Sequence, residues 1–169
     1  MVESIVEWLT SNLTGAVSKE LIVFLISMFP ILELRGGLIA ASILGIPYMK
    51  GIVICILGNM IPIPFILLFI TPIFTWMKKQ KIFRPMVEKL EKKSMGKSEK
   101  IQKYEFWGLL LFVGIPLPGT GAWTGALIAS LLDVDKKKAI LAIYSGLFLA
   151  TAIMCFVVYT IPWLLSLFK

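Results

Sequence analysis

The sequence predicts an all-α integral membrane protein, an inverted repeat of a re-entrant helical hairpin plus a transmembrane helix, with an N-terminal amphipathic helix. Three observations carry that expectation. Hydrophobic residues make up 58% of the 169-residue chain and charged residues 16%, where a soluble domain is nearer ~25% charged; the mean hydropathy is +0.89. A shift of 88 positions lays Pro30 on Pro118, Gly37 on Gly125, Ala41 on Ala129, Ser42 on Ser130, Leu44 on Leu132, Lys50 on Lys138, Ile52 on Ile140 and Gly58 on Gly146. Chance would give about three such identities over that length in so apolar a chain. Each copy also sets a Pro/Gly-rich break inside an apolar stretch and follows it with a long apolar helix, the pattern that points to a binding site in repeat-built transporters.

The chain reads as one membrane domain over residues 1–169. Residues 1–18 carry Glu3 and Glu7 and no basic leader, so they do not read as a signal peptide. Val2, Ile5, Val6, Leu9, Leu13, Ala16 and Val17 share one helical face, which predicts an amphipathic helix along the membrane interface.

Apolar stretches follow at 20–46, 51–77, 105–132 and 139–168. The first is broken by Pro30, Gly36 and Gly37, the third by Pro116, Pro118, Gly119 and Gly121. Proline lacks an amide donor and clashes with the preceding turn, so neither stretch continues as one straight helix. Half-helices of about ten residues reach ~15 Å, half of a ~30 Å bilayer core. Residues 20–46 and 105–132 are therefore expected to be re-entrant hairpins. Residues 51–77 and 139–168 are expected to cross the membrane, the former kinked by Pro62, Pro64 and Pro72.

Charge sets the orientation. Ten of the 17 basic residues lie in the 78–104 linker, and Lys136, Lys137 and Lys138 form a second cluster. If 105–132 is a hairpin, both clusters share the cytoplasmic side, as the positive-inside rule requires. One hairpin and one span per half then make the repeat inverted. Trp76 and Trp107 flank the basic linker and Trp8 and Trp163 lie at the other face, as interfacial belts do, whereas Trp123 falls near mid-depth. The expected location is the plasma membrane, with anionic lipid headgroups as partners of the basic linker and no nucleic acid.

Glu33 and Arg35 are the only charges deep inside an apolar stretch. Such groups cost roughly 2.5–3.5 kcal/mol each on insertion scales and are functional candidates. Desolvation favours the protonated form of Glu33 and a neighbouring Arg35 favours its carboxylate, which suits a proton carrier. Arg35 could hold an anionic substrate group, or the two could tie the hairpin tip to nearby carbonyls. In the second break, Pro118, Gly119, Thr120 and Gly121 present backbone donors at a half-helix start, an anion-binding arrangement or a close-packing turn. Thr120 and Thr124 add hydroxyls. Asn59 is either a pore-lining group or an interhelical hydrogen-bonder. Trp123 either walls a cavity or packs. Cys55 and Cys155 read as small buried hydrophobes. With no histidine and no Walker or H-E-x-x-H motif, neither an enzyme, a metal site nor a cofactor is expected. Asp135 reads as a helix N-cap.

The runs Phe-Pro-Ile-Leu-Glu-Leu-Arg-Gly-Gly at 29–37 and Ile-Pro-Leu-Pro-Gly-Thr-Gly-Ala-Trp-Thr-Gly-Ala-Leu-Ile-Ala at 115–129 resemble the two signatures of the small multidrug export family. That family is distantly similar to the DedA (SNARE-associated) superfamily. The resemblance implies paired re-entrant hairpins, proton-dependent membrane homeostasis and movement of lipid carriers such as undecaprenyl phosphate. DedA proteins place acidic residues in the first hairpin and arginines in the second. Glu33 follows that pattern, whereas Arg35 lies in the first hairpin. The resulting expectation is a small proton-coupled secondary transporter or exporter, homo-oligomeric, with Glu33 exchanging the proton and Arg35 and the 119–121 backbone binding an unidentified small molecule or lipid. A DedA-like lipid flippase or scramblase and a non-transporting scaffold or assembly factor are the alternatives.

Overall fold

The computed structural model describes residues 2–13, 17–79, 85, 105–117 and 119–160. Most of the basic linker, Pro118, Pro162, Trp163 and Lys169 lie outside the described residues, and with them the expectations that rest on these positions. Every element among the described residues is helical.

Helix α1 (Val2–Leu13) is amphipathic, as its spacing predicts, with Trp8 exposed. It does more than lie on the surface. Val6 is fully buried and Thr10 nearly so, because α1 packs against α3 (Glu33–Ile43). Helix α2 (Lys19–Met28) starts where the Ser18 hydroxyl accepts the Leu21 amide at 3.3 Å, a cap whose loss costs about 1 kcal/mol. It ends because Pro30 follows: Phe29 is driven into extended backbone, with ψ 136°. The chain turns over residues 29–32 and α3 runs back along α2, so that Lys19 Nζ at the start of α2 reaches the Leu44 carbonyl at the end of α3, at 3.0 Å.

Helix α4 (Tyr48–Met60) starts three residues before the predicted span and runs alongside α2. Its first turn is tied to α2 by the Lys50–Glu20 salt bridge at 2.7 Å. The helical ladder is interrupted at Ile61, because Pro62 has no N–H to carry it on, and α5 (Pro62–Lys79) follows with Ile61 still in helical backbone. In the second half, α6 (Glu105–Gly114) and α7 (Ala122–Leu131) flank a break over residues 115–121. Helix α8 (Lys136–Cys155) begins at the predicted cap, Asp135, whose carboxylate accepts the Lys138 amide at 3.0 Å. It passes into a π-helical turn, Phe156–Thr160.

Two helices, Tyr48–Ile70 and Lys136–Val158, are long and apolar enough to cross a membrane. Val53, Leu57, Ile61, Phe65 and Phe69 make an exposed apolar stripe along the first, at four-residue spacing, the kind of contiguous apolar surface that marks a membrane or protein contact.

The two halves repeat their packing. A Cβ on Gly58 would stand 2.7 Å from the Phe24 carbonyl oxygen of α2, and one on Gly146 would stand 2.6 Å from the Leu110 carbonyl oxygen of α6. Only glycine lets each long helix approach the preceding half-helix so closely. The apolar core is in two parts, and the long helices cross between them. Cys55 of α4 lies in the core built by α2 and α3, while Ile63, Ile66 and Leu67 of α5 lie in the core built with α6 and α7. Helix α8 makes the opposite passage, from Ala139, Ala142 and Ile143 in the second core to Leu147, Ala150 and Cys155 in the first.

Candidate functional site

The two breaks meet. Glu33 opens α3 with φ +48°, a left-handed conformation in a residue with a Cβ, which costs of order 1–3 kcal/mol. The conformation turns its side chain out of its own half, and only 5% of the residue is exposed. Its two carboxylate oxygens accept the Ala122 amide at 3.3 Å and the Trp123 amide at 3.1 Å. Those are the first amides of α7, which have no partner within their own helix. The positive end of the α7 dipole therefore faces a carboxylate supplied from 89 and 90 residues away.

Gly121 makes room for this. It holds φ +132° at the N-cap of α7, and any Cβ there would fall on the Glu33 carboxylate. A serine, threonine or aspartate at such a position would ordinarily cap the helix from within. Glycine hands the task to Glu33.

Arg35, two residues further along the same helix, reaches over the same gap. Nη1 donates to the Leu117 carbonyl at 2.7 Å, and Nη2 to the Thr120 carbonyl and hydroxyl, both at 3.0 Å. The Thr120 hydroxyl also accepts the Leu117 amide at 3.1 Å and lies 2.7 Å from the Leu117 carbonyl and 2.9 Å from that of Ile115, to one of which it donates. Trp123 answers from the other side: Nε1 donates to the Met28 carbonyl at 3.0 Å, one of the unpaired carbonyls at the end of α2.

Of the residues predicted from sequence, Glu33, Arg35, Thr120, Gly121 and Trp123 are brought together. Trp123 is neither simple packing nor only a wall, since its indole N–H closes the end of α2. Gly119, at φ +78°, lies in the turn of the second break, and Thr124 follows Trp123 in α7, half-buried. Pro118 lies outside the described residues. The amide donors expected at 119–121 fall one to two positions later, at Ala122 and Trp123, and the group they hold is the Glu33 carboxyl. Met28, Leu117 and Ala122 were not predicted at all. They act through backbone atoms, and no side-chain signal marks them.

Asn59 is buried in α4. Its neighbour Gly58 abuts Phe24 and Ser27 at the end of α2, and its other neighbour, Met60, accepts the Tyr144 hydroxyl at 3.2 Å. Asn59 has no exposed area, and neither its Nδ2 nor its Oδ1 has a hydrogen-bond partner among the described residues. The interhelical bond expected for it is not made there. An unpaired amide in apolar surroundings costs roughly 2–7 kcal/mol on transfer scales. Among the described residues no group of His, Cys, Asp and Glu could hold a metal ion.

No curated protein and no solved structure matches the chain significantly. Residues 33–153, from the first charged residue of the site through most of α8, match the family described as "Putative small multi-drug export protein". With two membrane-length apolar helices and a family match over well more than half its length, the chain is a membrane protein that belongs to the small multi-drug export protein family.

Proposed function

We propose that the protein is a small proton-coupled secondary exporter in which Glu33 is the coupling group. One observation carries this reading: a buried carboxylate, held in strained backbone at one break, caps the helix that leaves the other break. A cap needed only for stability is available locally at lower cost. A cap supplied from the opposite half makes the contact between the halves depend on one titratable group.

As a carboxylate, Glu33 holds α7 through two charge-assisted bonds, each worth about 1.5–3 kcal/mol. Protonation removes the charge that favours the α7 N-terminus. The resulting loss, on the order of 3–6 kcal/mol if both bonds go, compares with the ~5.5 kcal/mol that moves a two-state equilibrium from 1:99 to 99:1. Opening would expose the α7 amides and Arg35 together, a site for an anionic group of the cargo, with Thr120, Thr124 and the 119–121 backbone beside it.

The membrane arrangement that goes with this is the inverted one. Helices α2–α3 and α6–α7 are re-entrant hairpins from opposite faces, α4–α5 and α8 are the spans, and the reciprocal crossing between the two cores supports a pseudo-two-fold relation. Lys136, Lys137 and Lys138 occupy the first turn of α8, where cations oppose the helix dipole by about 0.3–1 kcal/mol each. Helix stability does not account for them, while an anionic cytoplasmic leaflet does. The plasma membrane, with this cluster and the 78–104 linker on its cytoplasmic side, is the location we favour, and a homo-oligomer the assembly.

The test uses proteoliposomes with a trapped pH-sensitive dye, an imposed pH gradient and a panel of small molecules and labelled lipids. Wild-type protein should dissipate the gradient with at least one compound, and Glu33→Gln should not. Equal rates for the two remove Glu33 from the coupling. Labelled lipid crossing without a proton flux would favour the lipid flippase instead. A scaffold is favoured by one observation, that Glu33, Arg35 and Trp123 are all engaged with backbone across the breaks. It predicts that Glu33→Gln and Arg35→Gln together leave cellular function intact.

A further inference from the structure

We infer that residues 61–64 are a hinge between the two cores and that the Tyr144 hydroxyl latches it. The inference rests on the helical hydrogen-bond ladder and on where the cores meet, and holds whether or not the protein transports. In an α-helix each carbonyl accepts the amide four residues on. Pro62 and Pro64 have no amide, so the Gly58 and Met60 carbonyls lose their helical donors. This double gap makes the first span weakest at the junction of α4 and α5, where the helix is interrupted at Ile61.

The gap lies at the boundary between two packed bodies. Helix α4 packs on α2 and α3, while α5 packs on α7. Cys55 is accordingly held in the first core, and Ile63, Ile66 and Leu67 in the second. Bending at 61–64 turns one core against the other. Helix α8 crosses the same boundary between Ile143 and Leu147, but it has no proline from Lys136 to Cys155, so its ladder is whole. Tyr144 stands at that crossing. Its hydroxyl donates to the Met60 carbonyl at 3.2 Å and so replaces the amide that Pro64 lacks. Donors from neighbouring helices are one way in which membrane helices tolerate internal proline. Here the donor belongs to the other long helix, so a single bond both fills the gap and fixes one span against the other. Glu33, Arg35 and Trp123 join the cores at the breaks, and Tyr144 joins them at the hinge. A few element-terminal residues that absorb a backbone change are what domain hinges are made of.

The test measures distances across the hinge in full-length protein in lipid nanodiscs. Spin labels at Met49→Cys and Phe69→Cys, both exposed positions, bracket the hinge at ~30 Å along the helix. Labels at Leu141→Cys and Phe156→Cys, also exposed, report on α8. Each pair is placed in a Cys55→Ala, Cys155→Ala background and read by double electron–electron resonance. With Tyr144 in place both distance distributions should be narrow. Tyr144→Phe should broaden the first and leave the second alone. Pro64→Ala returns an amide to the Met60 carbonyl, so adding it to Tyr144→Phe should narrow the first distribution again. An unchanged first-span distribution in Tyr144→Phe, broadening that Pro64→Ala does not reverse, or broadening of both pairs alike overturns the inference.

Discussion

The first break and the second do the same geometric task with different chemistry. Residues 29–32 interrupt a helix pair with one proline and are followed at once by two charges, Glu33 and Arg35. Residues 115–121 interrupt the equivalent pair with two prolines and two glycines and carry no charge. The charged break supplies side chains, and the uncharged break supplies amides, carbonyls and an indole for them. Each is incomplete alone: the α7 amides need the carboxylate, and the guanidinium needs the 117 and 120 carbonyls. Two breaks of identical chemistry would set two carboxylates or two bare helix ends against each other. Divergence at the breaks is what lets them clasp, while Gly58 and Gly146 keep the rest of the packing alike.

The strongest way to break that complementarity is at Gly121. Gly121→Ala combines a left-handed φ with a Cβ that falls on the Glu33 carboxylate, and should cost roughly 3 kcal/mol or more. Thermal unfolding in detergent should register it as a fall of about 6–12 °C. Gly45→Ala is the control, since its φ is +66° but its Cβ would meet nothing within 4 Å, and about 1 kcal/mol is expected from backbone alone.

Glu33→Gln removes the charge and turns a donor toward one of the two α7 amides, as protonation does, and should cost about 3 kcal/mol. Its larger signature is functional, as transport should no longer respond to an imposed pH gradient. Next in size, Gly58→Ala and Gly146→Ala should cost about 2–3 kcal/mol each, because both drive a methyl into a backbone carbonyl. Near-equal losses in the two variants would sharpen the picture of equivalent packing, and a twofold disparity would argue against it. Arg35→Lys keeps the charge and loses the fork that spans two carbonyls, for about 1–2 kcal/mol.

The smallest effect belongs to the Glu20–Lys50 bridge, which is exposed. Its hydrogen bond to Lys50 holds the Glu20 carboxyl below the ordinary carboxylate range. Any contribution is therefore present above the unfolded-state pKa and is lost as the pH falls through the lowered folded value. Lys50→Met should leave the unfolding midpoint at pH 7 almost unchanged, and its small difference from wild type should vanish in acid.

Much of this architecture was legible in the residues. Pro30 and the 116–121 run marked both interruptions, Pro62 the division between α4 and α5 and Asp135 the α8 cap, because each acts through its own backbone geometry or its own side chain within three or four residues. Glu33, Arg35 and Trp123 stood out because charge and a polar ring are costly in an apolar stretch. The donors to Glu33 were less accessible. Sequence pointed to the glycines at 119–121, while the amides that bind are those of Ala122 and Trp123, since the helix starts one residue later than the glycines suggest. The depth to which α1 is held, with Val6 wholly buried, also exceeded what an amphipathic pattern implies, because a moment says which face is apolar and not what will cover it.

By itself the sequence determined the apolar stretches, the positions of their breaks and the family, because composition, proline chemistry and motif order are local or linear properties. Only the tertiary structure decided that the carboxylate of one half caps a helix of the other, that Arg35 binds carbonyls, and that Asn59 finds no partner in the described chain. The physical reason is that every residue but proline carries the same amide and carbonyl, so which of them lies within 3 Å of a given side chain depends on how the two halves are set against each other.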